Sequence, residues 1–282
     1  MENNKKLIIT HGDFDGIACA VLIARLEEMD AEDVRIIFTQ PFLVDKIVIP
    51  EDIKRIYVLD IAINNRDIVM TRNFIRSIYN KLVLWADHHK GWSSEYIDDY
   101  KFVIREGLTC ADIIGTTDDV FVSDAIAADT RKGEMSPNGI LIENAMKANM
   151  SDDSIRISAV KWLLGDDSQK PILEKSAEKY RDIEHETIHL ANTYVTNGNV
   201  VIADARNSNH QYDLTQLLLA GQKIAKFAVV KTISPSLKEE RLTIATQSGV
   251  DLVKLFNLPS GAPFRVTLDV NRFNEALEIL NK

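Results

Sequence analysis

The sequence has 282 residues, of which 45% are hydrophobic and 27% charged, and carries a formal net charge of −9. That length suits two domains, and the composition is that of an ordinary globular protein with apolar material for two cores. An acidic total without a basic stripe argues against a surface built to grip long nucleic acid, although bound divalent cations can bring positive charge to a phosphate locally. The longest apolar run, residues 17–24, is far short of a bilayer span, and the first residues hold too few apolar positions for a signal peptide. A cytoplasmic chain without membrane attachment is therefore expected. Cys19 and Cys110 form neither a metal-ligand spacing nor a disulfide framework, and Cys19, inside IACAVLIA, reads as a small buried residue.

In chain order, residues 7–10, 34–39, 56–59 and 81–85 read as strands, with amphipathic helical stretches at 17–29 and 66–80 between them. Short apolar strands separated by helices predict a parallel sheet covered on both faces. Residues 112–149 read as mostly helical, and 152–164 as a further helix. A polar stretch at 165–171 leads into a charged segment, 172–195, whose apolar spacing suits one connecting helix ended by the turn Asn197-Gly198-Asn199. Beyond it, strands are expected at 200–203, 224–233, 241–246 and 264–268, and helices at 212–219, 250–256 and 271–280. The expected architecture is α/β: a parallel-sheet domain over 1–165 with helices on both faces, a helical linker over 166–197, and a smaller α/β domain over 198–282.

The residues able to carry chemistry gather at strand ends. The first strand runs into His11-Gly12-Asp13-Phe14-Asp15-Gly16, the segment RIYVL ends at Asp60, and KLVLW runs into Ala86-Asp87-His88-His89. In open parallel sheets ligands bind outside the carboxyl ends of the strands, so three strands deliver acids or imidazoles to one edge. Left unneutralised, such carboxylates repel one another and weaken the fold. Four of them, Asp13, Asp15, Asp60 and Asp129, balance two divalent cations. Oxygen and imidazole donors without thiolate favour Mn²⁺, with Mg²⁺ or Co²⁺ as substitutes, and the set suits two-metal hydrolysis of a phosphate ester. Taken singly, each residue has an ordinary reading: Asp15 as a helix cap, Asp60 as a loop acid. His88 and His89 point to opposite sides if the backbone stays extended, so only one is expected to be a direct ligand.

These residues, together with Asp129-Thr130 in AIAADT, resemble the four motifs of the DHH phosphoesterase family. That family includes RecJ-type single-strand exonucleases, nanoRNases, exopolyphosphatases and manganese-dependent inorganic pyrophosphatases. The resemblance covers the N-terminal half by motif and the remainder by layout. It implies that His11 and Asp13 bind one cation, that Asp15, His88 and Asp129 bind the other, and that Asp60 bridges them. It further implies that His89 faces the substrate phosphate or leaving group and that Asp87 orients an imidazole. Asp129 is preferred to Asp124, whose place after Ser123 and before AIAA suits a helix cap.

In its C-terminal part the chain resembles the family's DHHA1 domain but departs from its pattern. Pro259-Ser260-Gly261-Ala262-Pro263-Phe264 stands where a glycine-rich segment ending in histidine is expected, and Gln247-Ser248 where Arg-Ser is expected. The substrate-binding candidates there are Arg206, His210, Ser248 and Gly261, with Lys231, Arg241 and Arg265 as further cations. The leading reading is a phosphodiesterase acting on short single-stranded nucleic acid or small nucleotides. The alternatives are a phosphoanhydride hydrolase of the exopolyphosphatase or pyrophosphatase type, and a non-catalytic scaffold. The sequence leaves the oligomeric state open, a homodimer included.

Overall fold

The computed structural model describes residues 5–64, 67–105, 109–115, 119–150, 152–234, 238–258 and 263–282. The chain forms two compact units, Met1–Lys179 and Tyr180–Lys282. No helix among the described residues is long and apolar enough to cross a membrane.

The first unit is built on β1 (Lys6–His11), β2 (Ile36–Thr39), β3 (Arg55–Leu59), β4 (Leu82–Asp87) and β5 (Phe102–Ile104), a sheet of order β2-β1-β3-β4-β5. Every pairing is parallel. Parallel neighbours need crossovers, and the helices that make them cover both faces. Side chains alternate accordingly. Ile8, Tyr57 and Leu59 enter the core beneath α1 (Phe14–Leu26), whereas Leu7, Ile9, Ile56 and Val58 enter the opposite core with Phe74 and Ile78 of α2 (Ile68–Ile78). Helix α1 is buried almost all round, which is why IACAVLIA is apolar on every face rather than on one stripe. The unit continues through α3 (Ser94–Ile97), α4 (Cys110–Ile114), α5 (Val120–Thr130), α6 (Pro137–Ala148), α7 (Asp153–Leu163) and α8 (Lys170–Glu178). The three-residue β5 had no clear sequence signal.

In the second unit, α9 (Tyr180–Ala191) precedes β6 (Val195–Asn197), β7 (Val200–Asp204), α10 (Leu214–Gln222), β8 (Phe227–Ile233), β9 (Glu240–Thr246), α11 (Leu252–Leu255), β10 (Arg265–Asp269) and α12 (Phe273–Leu280). The sheet order is β10-β9-β8-β7-β6, and only β7 and β8 run parallel. The segment expected as one connecting helix is two: α8 packs on α6 and α7, and α9 packs on α10 and β7. The turn at Gly198 does not end a helix. It closes the β6–β7 hairpin, with Asn199 N–H donating to Asn281.

Candidate metal centre

Strand β1 ends at His11 and α1 begins three residues later, so the motif between them is a tight strand-to-helix turn. Asp13 caps α1, accepting from Gly16 N–H at 3.0 Å, and the Thr10 hydroxyl donates to the Gly16 carbonyl at 2.9 Å. The turn closes so tightly that a Cβ on Gly16 would lie 2.1 Å from the His11 carbonyl oxygen. From α7, Arg156 donates through Nε to the Gly12 carbonyl at 2.7 Å, and a Cβ on Gly12 would meet that same nitrogen at 2.7 Å. Gly16 is therefore a spacing requirement of the loop that presents His11, Asp13 and Asp15, whereas at Gly12 only the Arg156 side chain would have to give way.

Strand β3 lies between β1 and β4 in the sheet, which sets Asp60 between the two histidine-bearing ends. Asp60 has φ 53°, a left-handed conformation that Asp tolerates better than most residues. Its carboxylate is 2% exposed. Oδ2 lies 3.7 Å from His11 Nδ1, and Oδ1 lies 3.3 Å from His88 Nε2 and 3.8 Å from His89 Nδ1. Oδ1 nevertheless accepts no hydrogen bond. Two groups with metal-ligand spacing result, His11–Asp13–Asp60 and Asp60–His88–His89, each with its donor atoms within 4.8 Å of one another. Asp60 belongs to both. Asp15 lies against the second group, 3.7 Å from His88 Nε2, and takes the Cys110 and Ala111 amides at the start of α4 at 2.7 and 2.8 Å.

The two histidines do not diverge as an extended backbone would make them. The chain leaves the strand after Asp87, so both rings stay on one side with centroids 4.3 Å apart. Asp87 is fully buried and accepts from His89 Nδ1 at 2.8 Å and from Trp92 Nε1 at 2.7 Å. Trp92 packs edge-on against Trp85 and Tyr96 in an aromatic cluster.

Electrostatics mark the same cluster. Burial, then the charges of Asp13 and Asp15, push the Asp60 carboxyl well above its ordinary range. Burial and Asp13 raise Asp15 to about 7, in spite of its two amide donors. Burial disfavours the His11 cation, but the Asp13 carboxylate, 2.7 Å from Nδ1, outweighs it and holds His11 at about 9. His89 is likewise raised, its bond to Asp87 overcoming burial. This is a site holding excess buried negative charge.

Asp129 sits exposed on α5, outside both groups, although the charges of His88, His89 and Asp13 act on its carboxyl. Asp124 is buried and serves the next helix, accepting from Ser136 N–H and hydroxyl at 2.6 Å each. It therefore does not cap its own helix, because it lies inside α5. In the second unit, Arg206 is held by Asp204 and Glu240 rather than presented free. His210 lines a surface cavity of about 580 Å³ with His189, Asn207 and Asn209. The Ser248 hydroxyl bonds that of Thr246 at 2.7 Å. Arg241 pairs with Glu239, Lys231 sits 3.7 Å from the centre of the Phe273 ring, and Arg265 reaches Thr215. Gly261 lies outside the described residues. Sequence reasoning missed Gln40, Trp92, Arg156 and the α4 amides. Gln40, Arg156 and the α4 amides meet the motif residues only through long-range packing, Trp92 reaches Asp87 through the turn after β4, and none carries a motif of its own.

The chain's fold, a five-stranded parallel-sheet unit followed by a second α/β unit, is that of solved DHH-family structures. It is similar to a pGpG-specific phosphodiesterase from Vibrio cholerae, with TM-score 0.66 and 14% identity over 98% of this chain and 99% of that one. It is also similar to RecJ in complex with Mn²⁺ from Thermus thermophilus, with TM-score 0.61 and 12% identity over 98% of this chain and 51% of that one. An exopolyphosphatase-related protein from Bacteroides fragilis matches with TM-score 0.56 and 12% identity over 99% and 94%. At these identities the likeness is one of fold. No family profile and no curated protein sequence matches the chain.

Proposed function

We propose that the chain is a metal-dependent phosphoesterase that hydrolyses phosphodiester bonds of short oligonucleotides or small nucleotides. The observation that carries the reading is Asp60: one buried carboxylate shared by two ligand groups, with an oxygen that accepts no hydrogen bond. Burying such an oxygen unsatisfied is costly, and a pair of cations would satisfy it. The donors are carboxylate and imidazole only, which fits Mn²⁺, with Mg²⁺ or Co²⁺ as substitutes. His11 and Asp13 would hold one ion, His88 with Asp15 and Asp129 the other, and Asp60 both. When bound, the ions would supply positive charge and Lewis acidity at the phosphoryl group.

The chain's own residues do the rest. Asp87 holds His89 by Nδ1, leaving Nε2 to face a substrate oxygen and carry a proton to the leaving group. Trp92 fixes Asp87 in turn. Two observations support a short substrate: the acidic total charge, and a likeness that spans nearly the whole of a pGpG-specific phosphodiesterase. In the second unit, Arg206 and Arg241 are paired with acids rather than held free for a phosphate backbone.

A hydrolysis screen with Mn²⁺ tests this, comparing dinucleotides, longer single strands, pyrophosphate and polyphosphate. Turnover of dinucleotides that EDTA abolishes is the expected result. Preference for pyrophosphate or polyphosphate would replace the substrate class by a phosphoanhydride. No turnover of any phosphate compound by protein that binds Mn²⁺ would leave a non-catalytic scaffold.

A further inference from the structure

Gln40 is the residue that follows β2, and β2 lies on the far side of β1 from β3. The β1–β2 register pairs His11 with Thr39, so Gln40 comes directly beside the end of β1. Pro41 follows it. Proline restricts the preceding residue to extended backbone, and Gln40 has φ −114° and ψ 154°. Its carbonyl is taken by Leu43 N–H at 2.9 Å, which leaves the side chain as the group aimed at His11.

The contact is specific in its atoms. His11 Nε2 and Gln40 Oε1 are 3.1 Å apart. An amide oxygen can only accept, so Nε2 must carry the hydrogen. The other ring nitrogen, Nδ1, is the one in the ligand group, 2.7 Å from Asp13 Oδ2 and 3.7 Å from Asp60 Oδ2. A neutral imidazole has one N–H and one lone pair. Without an ion Nδ1 also carries a hydrogen, given to Asp13; a cation there would displace it, and the hydrogen held at Nε2 would leave the lone pair at Nδ1, where the carboxylates of Asp13 and Asp60 converge.

We infer that Gln40 is a positioning residue of the metal centre, selecting the His11 tautomer and ring orientation that present the Nδ1 lone pair to the ion shared by His11, Asp13 and Asp60. The inference rests on the metal-centre reading above. It is confined to one of the two groups, because Asp60–His88–His89 receives nothing from Gln40. Partners of this kind typically change metal affinity about 10- to 100-fold.

Titration calorimetry of the full chain with Mn²⁺ alone tests it, comparing wild type with Gln40→Met and Gln40→Glu. Methionine keeps the length and part-buried packing but cannot accept from Nε2, whereas glutamate can. For Gln40→Met the expected result is one of two Mn²⁺ binding steps weakened about 10- to 100-fold and the other unmoved. Gln40→Glu should restore the first step to within roughly threefold of wild type, an estimate made on the same basis. Thermal melts in EDTA should show Gln40→Met as stable as wild type. Equal weakening of both steps, or a large fall in stability, would make Gln40 merely structural and overturn the inference. So would Mn²⁺ binding by Gln40→Met that matches wild type. Wild-type protein that binds no Mn²⁺ would instead sink the metal-centre reading itself, which no variant of Gln40 could do.

Discussion

In protein stripped of divalent ions, Asp60→Asn should make the fold more stable, not less. The wild-type carboxylate is 2% exposed, has one oxygen accepting no hydrogen bond, and lies within 4.8 Å of an Asp13 oxygen. Two like charges at that separation repel by about 3 kcal/mol at an effective dielectric of about 20, and the nearby His11 cation returns part of it. Protonation sets a ceiling. Keeping a proton on a carboxyl of ordinary pKa 3.8 costs about 4 kcal/mol at pH 7, at about 1.4 kcal/mol per pH unit. Because the folded pKa is raised, the penalty is absent below the ordinary value and grows as pH rises toward the folded one. Asparagine accepts the left-handed backbone as readily as aspartate, so the exchange adds no strain. The variant should gain about 1–3 kcal/mol at pH 7 and almost nothing at pH 4. At about 2–4 °C per kcal/mol for a domain this size, that is a melting temperature roughly 3–10 °C higher at pH 7. Melts in EDTA at both pH values would measure it. Adding Mn²⁺ should raise the wild-type midpoint and barely move the variant's. A variant no more stable than wild type at pH 7, or equally stabilised at both pH values, would refute the reasoning.

Gly16→Ala should cost about 3 kcal/mol or more, since its Cβ would fall 2.1 Å from a backbone oxygen that cannot rotate away; a urea midpoint within about 1 kcal/mol of wild type would show that the turn relaxes. Trp92→Phe removes one of the two donors holding buried Asp87 and should destabilise by about 2 kcal/mol, read by the same denaturation; unchanged stability would mean that the carboxylate finds another partner. The acids of α5 should separate cleanly. Asp124→Ala strands the Ser136 amide and should lose about 1–3 kcal/mol of stability while folded protein keeps its Mn²⁺ affinity, whereas Asp129→Asn should weaken Mn²⁺ binding with metal-free stability unchanged. The reverse pattern in calorimetry and melts would exchange their roles.

Local pattern carried much of the molecule. The apolar runs around Ile8, Val58 and Leu84 are strands because two helix-covered faces require apolar residues at every position, and period alone reveals that. The placing of Asp13, Asp60 and Asp87 just past those runs was equally legible, since a strand's end is a local property. What no local pattern contains is the order in which strands lie side by side. That order, β2-β1-β3-β4-β5, puts β3 between β1 and β4, and so makes Asp60 the residue common to both ligand groups. The same order swings β2 to the outer side of β1 and brings Gln40 to His11 across 29 positions of sequence. That both histidine rings lie close together on one side depends on where β4 stops, and the different fates of Asp124 and Asp129 on which neighbour each meets. Arg206 has a local partner in Asp204, two residues away, but only the sheet brings Glu240 of β9 to it. Sequence periodicity and capping are fixed by contacts within a few residues, whereas strand order and side-chain pairing are settled by the closure of whole sheets. The sequence therefore determined which residues could carry the chemistry, and only the tertiary structure decided which of them meet.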